Sequence, residues 1–204
     1  MTNAIAEGNE LRLFDYRETT PLKAGQVDDS PYGGGAGMVL RVDVVDAALQ
    51  AAYGEGERPR IMLLSPTGPL LDDPIADELV AEPHVALLCG RYEGFDDRVH
   101  QHLADDELSI GRYVLAGGEL PAMVVADVLM RKLPGALGHA DSAAEESFSQ
   151  VLEGMPEYPH YTRPASYRGW DVPEILKSGD HEKVRQWRLE RSRERARQSE
   201  AGAE

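Results

Sequence analysis

Three short apolar runs separated by helical patterns constrain the fold of this chain more than any other feature. The runs occupy residues 61–66, 84–90 and 113–118, and each ends in proline or glycine. Short runs without alternation are typical of strands buried on both faces. Apolar residues recur at helical spacing in the segments between and around them, at residues 42–53, 72–82 and 119–133. The order predicts the α/β class, with a mainly parallel sheet.

Length and charge limit the classes of protein that remain. The 204 residues suffice for one ordinary domain with a small appendage. There are 21 basic and 36 acidic residues, and the formal net charge of −15 gives no global attraction to nucleic acid, so a phosphate-binding surface must be local. The single cysteine, Cys89, excludes an internal disulfide framework and suits a reducing compartment. No leader pattern or membrane-length apolar segment is visible, so we expect a cytoplasmic protein without a membrane partner.

The character of the chain changes after Leu133. Residues 134–179 are rich in Pro, Gly, Ser and acids, with little periodicity, and residues 140–149 are interpreted as a mobile linker. A last helix is predicted to begin after Asp180, a good N-cap, and it carries seven basic residues from Lys183 to Arg197. Those residues form either a solvated, salt-bridged face or a local phosphate patch.

Three glycine-rich loops are the first candidates for chemistry. They are SPYGGGAGM at residues 30–38, CGRYEG at residues 89–94, and LAGGE at residues 115–119. None contains the Lys and hydroxyl of a phosphate-binding P-loop, and the dinucleotide pattern G-x-G-x-x-G is absent, which disfavours an NTPase. The glycines at 33–37 fit a hinge or a tight turn equally well. Because ligands of open α/β sheets bind at the carboxyl ends of strands, we expect a ligand site there that does not hold phosphate. His160 has no His or Cys at ligand spacing, and no metal ligand is assigned.

Longer motifs carry a specific resemblance. VDDSPYGGGAGM, LLSPTGPLLD, CGRYEGFDDRV, SIGRYVLAGGELPAM, PGALGH, PHYTRP and LKSGDHEKVRQWRLE occur in this order from about Asp28 to about Arg193. In this order and spacing, the chain resembles the bacterial tRNA (guanine-N(1))-methyltransferases of the TrmD type. The resemblance implies a SPOUT fold with a deep trefoil knot, a homodimer, and transfer of a methyl group from S-adenosylmethionine to N1 of the tRNA guanosine immediately 3′ of the anticodon. It also implies a dependence on Mg²⁺.

The resemblance assigns roles to particular positions. The expected S-adenosylmethionine pocket consists of Gly90, Glu93, Ile110, Gly111, Arg112, Tyr113, Val114, Leu115, Gly117 and Gly118. Backbone groups of closely packed loops suit adenine and ribose, which accounts for the missing lysine. Arg131 matches the position that contacts the target guanine, and Arg163 of PHYTRP is expected to bind tRNA phosphate.

The position of the catalytic base differs from the pattern of the family. Its members have an Asp in a Glu-Asp-Ser-Phe segment, which removes the N1 proton, whereas here Glu146 occupies that position in Glu145-Glu146-Ser147-Phe148. A glutamate carboxylate lies about 1 Å further from the backbone, a displacement that can change a rate on the order of 100-fold. Glu146 is the expected general base, with Glu145 and Asp141 as substitutes.

Both ends also differ from the family. The expected first apolar strand and basic run are missing before Val27, where only Lys23 remains of the run, which suggests an upstream start. The C-terminal tRNA-binding domain is expected to be shortened to the helix after Asp180. We therefore expect a knotted cofactor-binding domain at 1–138, a mobile linker at 139–159 and a truncated helical tRNA-binding segment at 160–204. The alternative is a catalytically impaired or truncated relative that keeps only cofactor binding and dimerisation.

Overall fold

The computed structural model describes residues 8–136 and 146–201. The chain divides into two compact units, Met1–Ala136 and Leu137–Glu204. Strands and helices follow one another along the first unit. They are α1 Tyr16–Thr19, β1 Asp28–Asp29, β2 Val39–Leu40, α2 Val42–Tyr53, β3 Arg60–Leu64, α3 Asp73–Val80, β4 Val85–Leu88, α4 Asp97–His102, β5 Asp106–Leu108 and α5 Glu119–Lys132.

A parallel sheet forms the centre of the first unit. Its strand order is β4-β3-β5, with Arg60 opposite Val85 and Met62 opposite Asp106. Parallel neighbours need crossover connections, and here each crossover contains a helix. The predicted α/β class and parallel sheet are confirmed. The strands expected within residues 61–66 and 84–90 are β3 and β4.

The third predicted strand is wrong. Residues 113–118 lie in a loop, where Tyr113 is 54% and Val114 is 84% exposed, and the third strand is instead Asp106–Leu108. Only Leu108 of this strand is buried, while Asp106 pairs with Arg60 at 2.7 Å. The backbone turns before residue 113, since the Ser109 hydroxyl donates to the Gly111 carbonyl at 3.1 Å. The apolar run therefore lies on the surface, and a mostly charged segment forms the strand.

Helices cover both faces of the sheet. Neighbouring residues of β3 point to opposite sides, and the apolar side chains on each side pack against helices. On one face, Ile61 and Leu63 pack with Val45 of α2 and Val99 of α4. On the other face the buried cluster joins β3 and β5 to α3 and α5; it consists of Met62, Leu64, Leu79, Leu108 and Val125. The helical patterns expected at 42–53, 72–82 and 119–133 are thus confirmed as α2, α3 and α5.

The described residues of the second unit, 146–201, contain a small hairpin and two α-helices. Strand β6, Ser166–Tyr167, pairs antiparallel with β7, Trp170–Asp171, and these precede α6 Glu174–Lys177 and α7 His181–Ala201. Asp180 caps α7 as expected, since its Oδ1 accepts a hydrogen bond from the Lys183 N–H at 3.2 Å. In the two described ranges, no helix is both long enough and apolar enough to cross a bilayer.

Candidate active site

Three loops leave the sheet at its carboxyl edge, where open α/β sheets bind their ligands. Loop A, residues 65–72, follows β3; loop B, residues 89–96, follows β4; and loop C, residues 109–118, follows β5. Because β3 lies between its two neighbours, loop A leaves the sheet between loops B and C. Residues far apart in sequence are therefore collected at one edge.

Backbone hydrogen bonds join loop A to loop C. The Ser109 N–H donates to the Pro69 carbonyl at 2.8 Å, and the Leu71 N–H donates to the Ser109 carbonyl at 2.8 Å. Gly68 sits against β5, where a Cβ atom would be 2.8 Å from both the Glu107 Cβ and the Leu108 nitrogen. Only glycine fits there without displacing the strand, so the start of loop C is held firmly against loop A.

Loops B and C approach each other even more closely. The Gly118 N–H donates to the Gly90 carbonyl at 2.7 Å, and Arg91 forms an antiparallel bridge with Gly117. A Cβ atom on Gly118 would be 2.7 Å from the Cys89 Cα and 2.8 Å from the Gly90 nitrogen. The glycine pair that the sequence placed at the start of α5 is thus a close contact between two backbones.

An ion pair crosses the same contact. Arg91 Nε lies 2.7 Å from Oε1 of Glu119, the first residue of α5, and both side chains are about half exposed. Burial, together with the negative charge of Glu119, raises the pKa of the Cys89 thiol to about 11. The sequence analysis missed this pair, although an Arg after one glycine turn and a Glu after another were visible in the sequence.

The glycine-rich segment at residues 30–38 joins loop B from the other side. The Glu93 N–H donates to the Met38 carbonyl at 3.1 Å, and the Leu40 N–H donates to the Gly94 carbonyl at 2.9 Å. A Cβ atom on Gly37 would collide with the Glu93 side chain. The segment connects β1 to β2 through a turn closed by Gly34 N–H and the Pro31 carbonyl at 3.3 Å. All three glycine-rich loops named from the sequence therefore lie in one cluster.

Aromatic residues support loop B within the same unit. The Tyr16 ring lies edge-on to the Phe95 ring with centroids 6.4 Å apart, and the Phe95 ring would be 2.9 Å from a Cβ atom on Gly90. The Tyr16 hydroxyl is hydrogen-bonded to the backbone of Cys89, and burial raises the pKa of this phenol. Sequence analysis assigned no role to Tyr16, because its partners come from segments about 75 residues away.

The expected cofactor residues all fall on two adjoining loops. Gly90 and the exposed Glu93 lie on loop B. The others lie on loop C; they are Ile110, Gly111, Arg112, Tyr113, Val114, Leu115, Gly117 and Gly118. Arg131 lies in the last turn of α5, also in the first unit, and its side chain is exposed.

Glu146 belongs to the second unit, where its side chain is half-buried. Its carbonyl accepts the Ser149 N–H at 3.1 Å, and the next residue's hydroxyl, Ser147 Oγ, accepts the Glu157 N–H at 2.9 Å. The backbone that carries Glu146 is therefore fixed to residues further along the chain. Glu145 and Asp141, the other candidates for the base, lie outside the described residues.

The described part of the chain contains no group of three or more His, Cys, Asp or Glu side chains that could hold a metal ion. Lys132 of α5 has two carboxylate partners, Asp73 at 2.8 Å and Asp77 at 2.7 Å, so α5 is tied to α3. Arg163 is an exposed residue of the second unit.

The fold and loop cluster define an α/β protein whose three loops meet at the carboxyl edge of a parallel sheet, the edge at which open α/β sheets bind ligands. The sequence model of the family described as tRNA (Guanine-1)-methyltransferase TrmD matches residues 1–201. A tRNA (guanine-N(1)-)-methyltransferase from Brevibacillus brevis is 48% identical over 201 residues, which cover 96% of this chain and 81% of the relative. Another from Bacillus cereus is 48% identical over 187 residues, covering 91% and 75%. The chain belongs to the TrmD family, and the resemblance found from its motifs is confirmed.

Proposed function

We propose that this protein transfers a methyl group to N1 of the guanosine immediately 3′ of the anticodon in tRNA. Membership of a tRNA (guanine-N(1)-)-methyltransferase family carries this conclusion. The cluster of loops A, B and C supports it, because these loops lie at the carboxyl edge of the parallel sheet, where α/β enzymes bind their cofactors. When bound, S-adenosylmethionine supplies an electrophilic methyl group on a sulfonium centre.

The two loops fit an adenosine-containing ligand. Exposed apolar side chains, Tyr113, Val114 and Leu115, lie on loop C beside the glycine contacts. Such side chains offer surface to a flat base, and the backbone groups of the loops offer hydrogen bonds to its edge. The exposed carboxylate of Glu93 suits the hydroxyls of a ribose, as acidic residues do in other nucleotide sites.

Glu146 is assigned as the general base and Arg131 as the residue that positions the guanine. N1 of guanine carries a proton, so its lone pair becomes available for bond formation only as that proton is removed. The carboxylate of Glu146 would accept that proton, which would free the N1 lone pair to take the methyl group as its bond to the sulfur of the bound donor breaks. The cationic Arg131 stabilises negative charge that develops on the base as the proton leaves.

The apolar surface at the start of α5 is assigned as the interface with a second copy of the chain. Leu120 is 61%, Met123 59% and Val124 45% exposed, and they adjoin the exposed apolar residues of loop C in sequence. Contiguous exposed apolar side chains of this size mark interaction sites. A homodimer would cover them, as the family pattern implies. The trefoil knot likewise stays a prediction, supported by the way loop C is bonded to loop A at one end and to loop B at the other.

The assay of function uses methyl-labelled S-adenosylmethionine and a tRNA transcript with guanosine 3′ of the anticodon. We expect transfer to this transcript and none to a transcript with adenosine there. Cofactor binding without transfer to either transcript would instead support the alternative of a relative that only binds and dimerises. Omitting Mg²⁺ from the same assay tests the metal dependence, which the resemblance alone suggests.

Substitution of Glu146 tests the assignment of the base. Glu146→Gln keeps the size of the side chain and removes its basicity, so we expect kcat to fall about 10²- to 10⁴-fold, with cofactor affinity unchanged. Glu146→Asp restores the residue type of the family and is expected to stay within about tenfold of the wild type. Glu153→Gln, an exposed carboxyl of the same segment, is the matched control. Full activity of Glu146→Gln would move the role to Glu145 or Asp141.

A further inference from the structure

A two-residue hairpin in the second unit presents aromatic rings at the surface. Tyr167 of β6 pairs with Trp170 of β7, and their ring centroids are 5.9 Å apart at an interplanar angle of 59°. Tyr167 is 52% and Trp170 is 70% exposed. Rings of this size are usually among the largest contributors to a core, yet packing among the residues that the structure describes leaves most of their surface uncovered.

The turn of this hairpin has an unusual residue. Arg168 and Gly169 have φ values of +53° and +83°, which is the pattern of a type I′ turn. Asn or Gly is favoured at the first of these positions, whereas a long side chain adopts the left-handed region at a cost. The Arg168 guanidinium carbon lies 5.2 Å from the centre of the Tyr167 ring. A permanent cation is therefore held beside the exposed rings, at a position that local backbone preference does not explain.

The charge around this hairpin differs from that of the chain as a whole. Residues 146–201 contain ten basic and ten acidic residues, so the formal charge of −15 falls entirely on the remainder. From Tyr158 to Val172, the Lys, Arg, Asp and Glu residues are Arg163, Arg168 and Asp171. A polyanion meets less repulsion from residues 146–201 than from the remainder of the chain, and Arg168 offers it a direct contact.

We propose that Tyr167, Arg168 and Trp170 form a stacking platform for an unpaired base of the tRNA substrate. The proposal rests on the proposed function, which makes tRNA the partner. A base in a single-stranded loop has a free face that stacks on an aromatic ring, whereas a base within a duplex has none. Arg168 contacts a phosphate next to the stacked base. The platform thereby favours loop nucleotides over paired stems. Its three residues are different from those assigned to methyl transfer.

The test measures binding of fluorescently labelled tRNA by the full-length protein over a range of salt concentrations. Trp170→Ala is expected to weaken binding about tenfold with the salt dependence unchanged, because stacking is lost and no charge is removed. Trp170→Phe keeps a ring and should stay within about threefold of the wild type. Arg168→Asn creates the favoured Asn-Gly turn while removing the cation, so it should lower the slope of log Kd against log salt by about one.

Controls separate this role from a structural one. Leu13→Ala removes another exposed apolar side chain, 89% exposed in the first unit, and should bind tRNA as the wild type does. In the methylation assay, Trp170→Ala should raise KM for tRNA and leave both kcat and KM for S-adenosylmethionine unchanged. The preference of the wild type for tRNA over an RNA duplex of equal length should shrink in Trp170→Ala.

Two results would overturn the platform. One is wild-type tRNA affinity in both Trp170→Ala and Arg168→Asn, with methyl transfer intact, which leaves the proposed function standing. The other is a loss of affinity in Trp170→Ala that follows a loss of dimer in sedimentation velocity, since the hairpin would then contact a second protein copy. If the wild type binds tRNA through Trp170 but transfers no methyl group, the platform holds and the proposed function fails.

Discussion

The contact between Gly118 and loop B provides the most direct test of how the site is built. In Gly118→Ala, the new Cβ would be 2.7 Å from the Cys89 Cα, against an ordinary contact limit of 3.4 Å, so the two backbones must separate by about 0.7 Å. The hydrogen bond from the Gly118 N–H to the Gly90 carbonyl, now 2.7 Å, would lengthen with them. The backbone angles of Gly118, φ −79° and ψ −6°, suit alanine, so the effect is purely steric.

The expected loss of stability in Gly118→Ala is the sum of three contributions. Overpacking against a backbone costs about 1–3 kcal/mol and the weakened hydrogen bond about 1 kcal/mol. Replacing glycine with alanine also lowers the entropy of the unfolded chain, which stabilises the folded state by about 0.4–1 kcal/mol. The net loss is about 1–3 kcal/mol, equivalent to a fall in Tm of roughly 3–10 °C for a chain of this size. Cofactor affinity should fall as well, because loops B and C are forced apart.

Far-UV circular dichroism is the appropriate assay, because both tryptophans, Trp170 and Trp187, lie in the second unit and would not report on the first. Gly111→Ala is the matched control for stability alone: it lies in the same loop, and the three atoms nearest to its Cβ would belong to the Tyr113 ring, which is half exposed and able to rotate away. Gly118→Ala with the stability and cofactor affinity of the wild type would refute the reasoning that this contact sets the geometry of the site.

Two further predictions concern the proposed dimer and the half-buried thiol of Cys89. Leu120→Glu places a charge on the apolar surface of α5, at a helix position that tolerates acidic residues, so we expect a folded monomer by sedimentation velocity, and Leu13→Glu should leave the oligomeric state unchanged. A dimer that persists in Leu120→Glu would show that this surface is not the interface. The pKa of Cys89 is raised to about 11, so the folded state retains a proton that the unfolded state loses near pH 9. The contribution of the Cys89 thiol to stability is therefore complete below pH 9 and is lost between pH 9 and about 11. The free energy of unfolding should decline less across this range in Cys89→Ala than in the wild type. Equal declines in the two proteins would contradict the raised pKa of Cys89.

The fold was predicted from sequence where local patterns and burial agree. Apolar residues at helical spacing predicted α2, α3 and α5, of which α3 also has a side-chain cap at Asp72, and apolar runs predicted β3 and β4. Strand β5 was missed because two of its three residues are acidic, and its place in the sheet depends on pairing with β3. Loop C was mistaken for a strand because apolar composition cannot distinguish a buried run from one kept on the surface.

In the candidate site too, features set by local sequence could be predicted, whereas contacts between distant segments could not. The glycine-rich loops were identifiable because close backbone approach requires glycine, as Gly118 illustrates. The pairing of Arg91 with Glu119, and of Tyr16 with the backbone of Cys89, joins segments that only the folded chain brings together. The assignments of Glu146 and Arg131 came from family motifs, and they remain predictions for the assays described above.

The all-parallel order of the central sheet also has a consequence for how the protein folds. Arg60 pairs with Val85, 25 residues later, and Met62 pairs with Asp106, 44 residues later, so no strand of this sheet can form by local hairpin closure. Chains dominated by such distant pairings fold slowly. The hairpin and α7 of the second unit are local structures, and they can form on much shorter timescales. In refolding of the full-length chain from denaturant, local order in the second unit should therefore appear before the parallel sheet of the first unit.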